Sequence, residues 1–142
     1  MVVSEYVQVY SYRHQYKSDN AITIPVTLTR GRSANIDLLG KLDTGSTFCI
    51  FERAYAGLLG LDLESGDKQR FATATGAFLG YGHEVTLSVF GYECETVVYF
   101  AEPEFFGLNV LGRVGFLDHL RLGIVDYEQL LYCGLYDGEG SV

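Results

Sequence analysis

The residues best suited to chemistry lie in one short polar turn, Asp43-Thr44-Gly45, which is set between two apolar segments. Asp and Gly are common in tight turns for conformational reasons alone, so a purely structural turn is one interpretation. The other is that the Asp43 carboxylate transfers protons, because a positioned Asp is a frequent general acid or base. Other parts of the sequence are therefore needed to distinguish a structural turn from a catalytic one.

Other reactive side chains form no recognisable site. Ser46 lacks the G-x-S-x-G pattern of a hydrolase nucleophile, and no histidine is placed by the sequence to act as its base. His14, His83 and His119 are scattered and form no H-E-x-x-H motif. We therefore expect no metal site and no cofactor.

Length, charge and cysteine content narrow the class of protein. The 142 residues fit one domain with a substantial core, and the formal net charge of −8 argues against a nucleic acid partner. No apolar run approaches the roughly 18 residues of a membrane span, and the N-terminal segment lacks the features of a secretion signal. The three cysteines, Cys49, Cys94 and Cys133, form no C-x-x-C pair, which is typical of a reducing compartment. We expect a cytoplasmic protein without a membrane partner.

Alternation of apolar and polar residues predicts two β-hairpins that must position the turn. In the first, residues 22–28 pair with 36–42, and in the second, residues 85–89 pair with 94–100 across a turn at Phe90-Gly91-Tyr92. Pro25 cannot donate a ladder hydrogen bond, so its strand is expected at an edge or with Pro25 facing away from a neighbour. The same pattern predicts a short helix over residues 52–59 and a helix of two turns over residues 114–120 (VGFLDHL). It predicts closing strands over residues 122–132.

Three segments, in this order along the chain, resemble the retropepsin-like (retroviral-type) aspartic proteases. They are Leu42–Ser46 (LDTGS), Thr73–Ala77 (TATGA) and Asn109–Arg113 (NVLGR), and the resemblance spans roughly residues 20 to 135. It implies an all-β, closed-barrel-like fold with one or two short helices, a flap hairpin and a symmetric homodimer. It also implies an aspartic endopeptidase that acts on extended polypeptide.

The resemblance assigns the catalytic roles to Asp43, Thr44 and Gly45, with Leu42 and Ser46 supporting the turn. In such enzymes two carboxylates about 3 Å apart share one proton, because both cannot easily ionise. This chain contains one Asp-Thr-Gly, so the second Asp43 must come from an identical subunit across a two-fold axis. Thr44 is expected to hydrogen-bond across the pair, and Ser46 to donate to the outer oxygen of the carboxylate.

The other two segments are expected to bind substrate or support the turn. The flap tip and its cover correspond to Thr75, Gly76, Ala77 and Phe78. In the third segment, which comprises Asn109, Val110, Leu111, Gly112 and Arg113, the side chain of Val110 is expected to line a pocket, and Gly112 to permit close packing behind the turn.

The chain departs from the retroviral pattern at Thr47, where many members carry an Asp that pairs with the arginine of the third segment. We therefore expect Arg113, near the core, to bind backbone carbonyls or another acid. The predicted organisation is an aromatic arm over residues 1–20 that includes Tyr6 and contacts a dimer partner, the protease-like domain over 21–136, and a tail over 137–142.

Two alternatives remain open. The same fold supports a non-catalytic module that binds peptides or only dimerises. An unrelated small β-barrel that binds a small ligand would also satisfy the strand pattern.

Overall fold

The computed structural model describes residues 10–17, 21–32, 34–104 and 107–135. Tyr6 and the predicted tail lie outside these residues. Within them the chain forms ten strands, one short α-helix and three one-turn 3-10 helices. The strands are β1 (Tyr12–Gln15), β2 (Thr23–Arg30), β3 (Ala34–Leu42), β4 (Ile50–Phe51), β5 (Asp67–Thr73), β6 (Gly76–Val89), β7 (Tyr92–Ala101), β8 (Val110–Leu111), β9 (Leu120–Val125) and β10 (Leu130–Leu135), the helix is α1 (Arg53–Leu58), and the 3-10 turns are Leu63–Ser65, Leu117–His119 and Asp126–Glu128.

Seven strands form a sheet that closes on itself, in the order β2-β3-β8-β4-β7-β6-β5. The closure is a second pairing of β2, whose residues 27–29 pair with β6. Apolar residues alternate along these strands, and their inward-facing members, such as Leu28, Leu87 and Phe100, are fully buried. The predicted all-β, barrel-like architecture is confirmed.

Both predicted hairpins are present, β2 with β3 and β6 with β7. The pairing of β2 with β6 is limited to residues 27–29, so Pro25 has a ladder partner, Leu39, only on the β3 side. This position suits a residue that lacks an N–H group.

Within the described residues, no helix has the length and apolar character needed to cross a membrane.

A third hairpin, of β5 and the first half of β6, extends from the barrel. Its ladder runs from Asp67 opposite Gly82 to Thr73 opposite Gly76, with the turn at Ala74 and Thr75. The hairpin predicted with its tip at residues 75–77 is therefore present, but its turn lies one residue earlier, and Gly76 and Ala77 already pair with β5. Most residues of β5 and the first two residues of β6 are exposed. The second half of β6 belongs to the barrel and contributes buried residues to its core.

A separate three-stranded sheet has the order β1-β10-β9. The described part of the aromatic arm thus pairs with the C-terminal segment of the same chain, with Tyr12 opposite Cys133 and Gln15 opposite Leu130. The closing strands predicted over residues 122–132 are β9 and β10. Contact of the arm with a second subunit stays a prediction.

The helical predictions had different outcomes. The helix expected over residues 52–59 is confirmed as α1. The two-turn helix expected over residues 114–120 is wrong, because only the 3-10 turn at 117–119 forms there. Val114 is held in a parallel bridge with Phe48, and Gly115 has a φ of +103°, which is incompatible with an α-helix.

Candidate active site

The Asp-Thr-Gly turn begins where β3 ends, and its backbone is fixed by hydrogen bonds on both sides. Asp43 N–H donates to the Leu111 carbonyl at 3.0 Å, and Ser46 N–H donates to the Asp43 carbonyl at 3.1 Å. Gly45 N–H donates to Asp43 Oδ1 at 3.0 Å. The half-buried carboxylate is therefore oriented by its own turn, as in other Asx turns.

The third segment lies directly behind this turn. β8 runs parallel to β3, with Leu111 opposite Leu42, and the chain then passes along residues 46–48. Arg113 N–H donates to the Ser46 carbonyl at 2.9 Å, and Val114 N–H donates to the Thr47 carbonyl at 2.7 Å. Two segments almost seventy residues apart in sequence are thus joined into one unit.

Gly112 occupies the closest point of this contact. A β-carbon at this position would lie 2.3 Å from the Phe48 carbonyl oxygen and 2.7 Å from that of Ser46. Both are backbone atoms of the segment that follows Asp43, so they cannot rotate away as a side chain would. Gly112 therefore sets how closely the two segments approach.

Asn109 connects the same segment to the start of α1. Its Nδ2 donates to Glu52 Oε2 at 2.9 Å, and its Oδ1 accepts the Glu52 N–H at 3.1 Å. Its carbonyl accepts the Lys41 N–H at 2.7 Å, two residues before Asp43. Sequence reasoning missed Glu52, because no motif or periodicity links a residue before α1 to position 109.

Cys49 also supports the turn. Its sulfur accepts the Gly112 N–H at 3.4 Å, and its thiol lies 3.7 Å from the Val114 carbonyl. Burial raises the pKa of the thiol to about 12, which the hydrogen bond from Gly112 offsets only in part. The sulfur is therefore a protonated packing group at neutral pH, consistent with the inert character of buried cysteines.

Two predicted side-chain contacts differ in the structure. The Ser46 hydroxyl donates to the Phe48 carbonyl at 2.8 Å, rather than to the outer oxygen of Asp43, because the chain folds back within the same tight turn. Arg113 is exposed rather than near the core, so water can solvate its guanidinium and a buried partner is not required.

The remaining predicted residues fall into two groups. Val110 and Leu111 are buried between β3 and β4, and Leu42 is half-buried beside them. Thr75, Gly76 and Ala77 are exposed at the hairpin tip, where Thr73 Oγ1 donates to the Gly76 carbonyl at 2.9 Å. Phe78 is half-buried on the hairpin opposite Phe71.

The surface beside the turn is open. Thr44 and Gly45 are exposed, and Thr44 lines a cavity of about 370 Å³ with Arg113, Val114, Leu117 and Asp118. A larger cavity, of about 630 Å³, lies beside α1 between Arg53 and Glu64 and contains none of the predicted site residues. The chemistry of the predicted residues, rather than cavity size, therefore identifies the candidate site.

Comparisons with known proteins agree with this geometry at the level of fold. No protein-family model matches the sequence, and no curated protein matches it. The crystal structure of a retropepsin-like aspartic protease from Rickettsia conorii superposes with a TM-score of 0.64 and 18% identity, over 85% of this chain and 96% of that one. EIAV protease complexed with the inhibitor HBY-793 superposes with a TM-score of 0.54 and 20% identity, over 70% of this chain and 88% of that one. As the sequence resemblance predicted, the chain has a retropepsin-like fold.

Proposed function

We propose that this protein is an aspartic endopeptidase that works as a homodimer on extended polypeptide. The observation that carries the proposal is the position of Asp43, in an Asp-Thr-Gly turn that the segment around Gly112 supports from behind, within a retropepsin-like fold. Both solved structures described above are named as proteases.

In the proposed mechanism, two Asp43 carboxylates hold one proton between them. The ionised carboxylate takes a proton from a water molecule, whose oxygen attacks the peptide carbonyl carbon, while the protonated carboxyl gives its proton to the carbonyl oxygen. The first carboxyl then gives its proton to the amide nitrogen, and the second carboxylate takes a proton from a hydroxyl of the tetrahedral intermediate. The C–N bond breaks, the amine leaves, and the carboxylate pair again holds one proton. Neither a metal nor a covalent intermediate takes part.

The second carboxylate requires a second copy of the chain. The sequence contains a single Asp-Thr-Gly, and Thr44 and Gly45 are exposed in the isolated subunit. A two-fold axis beside this turn would bring the two copies of Asp43 together, with Thr44 of each chain placed to bond across the axis. The dimer is therefore part of the active site in this proposal.

The β5–β6 hairpin would act as the flap. An extended peptide between the hairpin and the turn would form backbone hydrogen bonds as an added strand, and its side chains would point alternately to either side. Thr75, Gly76 and Ala77 would cover the peptide from the hairpin tip. Because Val110 is buried, the residues around it would have to move slightly before its side chain could contact a side chain of the peptide.

The proposed setting is the cytoplasm. The three cysteines are free thiols, which is typical of a reducing compartment. A formal net charge of −8 disfavours nucleic acid as a partner, and we propose none, nor a membrane.

Replacement of Asp43 by Asn tests the proposal. We expect wild-type protein to cleave an unstructured polypeptide such as reduced casein, and Asp43→Asn to lose at least about a thousandfold in rate, since one member of the catalytic unit is removed from both subunits. Asp62→Asn is the matched control, because Asp62 is an exposed aspartate outside the turn. Cleavage that persists in Asp43→Asn would refute the assignment, whereas peptide binding without cleavage would indicate the non-catalytic module.

A further inference from the structure

Two residues that lie far apart in the sequence, Glu52 and Asn109, are joined by two hydrogen bonds. Asn109 Nδ2 donates to Glu52 Oε2 at 2.9 Å, and the Glu52 N–H donates to Asn109 Oδ1 at 3.1 Å. Both ends of the Asn109 amide are therefore bonded to one residue, and a flip of the amide would lose both bonds. Both residues are half-buried, so water competes less for the bond to the charged carboxylate. The two residues are called the Glu52–Asn109 pair below.

The helix that follows Glu52 does not account for its carboxylate. Glu52 occupies the N-cap position of α1, where the side chain of a Ser, Thr, Asp or Asn usually accepts a backbone N–H. The Glu52 side chain makes no such capping bond. The carboxylate binds Asn109 instead, so this contact, rather than helix capping, explains a Glu at position 52.

The backbone of Asn109 connects the pair to the strand that leads into the turn. The Asn109 carbonyl accepts the Lys41 N–H at 2.7 Å. From this point β8 runs beside β3, with Val110 opposite Lys41. The Asp43 N–H then donates to the Leu111 carbonyl at 3.0 Å. A displacement of Asn109 would therefore displace the backbone bonds that hold Asp43.

The residue after Glu52 makes a second contact, toward the hairpin. Arg53 Nη1 donates to the Glu102 carbonyl at 2.9 Å. Glu102 N–H donates to the Leu79 carbonyl at 2.8 Å, and Glu102 Oε2 accepts a hydrogen bond from the Tyr81 hydroxyl at 3.3 Å. Leu79 and Tyr81 belong to the part of β6 that pairs with β5. The start of α1 is thus bonded both to the segment behind the turn and to the hairpin.

We propose that the Glu52–Asn109 pair positions the catalytic turn, so that the Asp43 carboxylate lies at the reacting distance from a peptide held beneath the hairpin. This inference rests on the proposed function, to which it adds two positioning residues that act through the backbone before Asp43. The competing interpretation is that the pair only stabilises the fold. A structural role would lower the fraction of folded protein, whereas a positioning role lowers the turnover rate of protein that is fully folded.

The experiment exchanges the amide and the carboxylate between the two positions and uses a peptide with a mapped cleavage site. Asn109→Asp places two carboxylates against each other and removes one hydrogen bond, so kcat should fall by about ten- to a hundredfold, the cost of a small misplacement of a reacting group. KM should change by less than about twofold, because the lost contact acts on the chemical step. The double variant Glu52→Gln with Asn109→Asp again sets a donor opposite an acceptor, and should recover most of the lost kcat.

Asn35→Asp is the matched control, because Asn35 is exposed on β3 and the variant keeps the side-chain oxygen that accepts a bond from Thr29. It should retain wild-type kcat. Urea unfolding establishes that each variant is folded under the assay conditions. Should Asn109→Asp not fold, Glu52→Ala removes the acceptor without bringing two charges together and should show the same fall in kcat. A wild-type kcat in the folded single variant, or a loss that the double variant does not recover, would overturn the proposed positioning.

Amide hydrogen exchange at Asp43, followed by NMR, separates this inference from the proposed function because it needs no substrate. The Asp43 N–H, which is bonded to the Leu111 carbonyl, should exchange about tenfold faster in Asn109→Asp and return to the wild-type rate in the double variant. If wild type cleaves no peptide but exchange follows this pattern, the peptidase assignment fails and the positioning of the turn stands. If cleavage depends on Asp43 while kcat and exchange are unchanged in Asn109→Asp, the positioning fails and the peptidase assignment stands.

Discussion

At the scale of single residues, the position of Asp43 depends on the absence of a side chain at Gly112. Gly112 has no β-carbon, and this absence lets the Phe48 and Ser46 carbonyls come within contact of its α-carbon. The hydrogen bonds from Arg113 N–H to Ser46 and from Val114 N–H to Thr47 form only at this separation. The geometry of the turn is thus set by backbone approach as much as by side-chain chemistry.

Gly112→Ala should therefore destabilise the protein and abolish the proposed peptidase activity. The new methyl group would overlap backbone atoms that cannot move independently, so we expect a loss of about 1 to 3 kcal/mol in the free energy of unfolding, measured with urea. Gly57→Ala is the control, because Gly57 lies in α1 with open space around its α-carbon and should tolerate Ala or gain stability. Wild-type stability in Gly112→Ala would show that the two segments can separate without cost.

At the scale of elements, sequence reasoning worked where local pattern determines the structure. Strands with one buried face alternate with a period of two, so the hairpins formed by β2 with β3 and by β6 with β7 were predictable. The spacing of apolar residues over 114–120 is compatible with a helix. That spacing does not indicate the bridge between Phe48 and Val114 or the positive φ of Gly115, which prevent a helix there. Tertiary contact overrode local preference there.

The pairing of β1 with β10 shows the same limit for contacts between distant segments. More than a hundred residues separate the two strands, and the sequence predicts only a contact of the aromatic arm with a dimer partner. The contact is fixed by Tyr16, which is 2% exposed and whose hydroxyl donates to Asp126 Oδ1 at 2.5 Å. Its N–H donates to the Gln129 carbonyl at 3.0 Å.

This anchor predicts a loss of stability at alkaline pH. Burial, together with the hydrogen bond and negative charge of Asp126, raises the pKa of Tyr16 from 10.0 to about 12. The folded state therefore keeps the phenol proton longer than the unfolded state does. Its stabilising contribution is fully present below pH 10 and is lost as the pH rises toward about 12.

Tyr16→Phe should lower the free energy of unfolding by about 1 kcal/mol at pH 8, the usual contribution of a hydrogen bond. Between pH 10 and pH 12 its stability should fall less than that of wild type, because the titrating group is gone. Urea midpoints across this range measure both effects. Tyr127→Phe, at an exposed tyrosine, should behave as wild type, and identical alkaline slopes for Tyr16→Phe and wild type would contradict the assigned role.

At the scale of the whole molecule, one chain supplies half of the proposed site. The barrel, the hairpin and the turn are complete within the described part of one chain, but the proposed chemistry needs two carboxylates. The exposed Thr44 and the cavity beside it form the surface where the second subunit is expected. Activity should therefore depend on assembly as well as on folding.

Mixing wild-type and Asp43→Asn chains tests this dependence directly. If each active site takes one Asp43 from each of two subunits, activity at constant total protein should fall as the square of the wild-type fraction, because mixed dimers contain a single intact carboxylate. The two chains are first mixed below the dimer dissociation constant, where subunits exchange, and are then concentrated. Sedimentation of the concentrated samples should show a dimer at every wild-type fraction. The same dilution series with Asp62→Asn in place of Asp43→Asn should keep full activity. A linear fall with the wild-type fraction would show that one chain holds a complete site, and would refute the shared carboxylate pair.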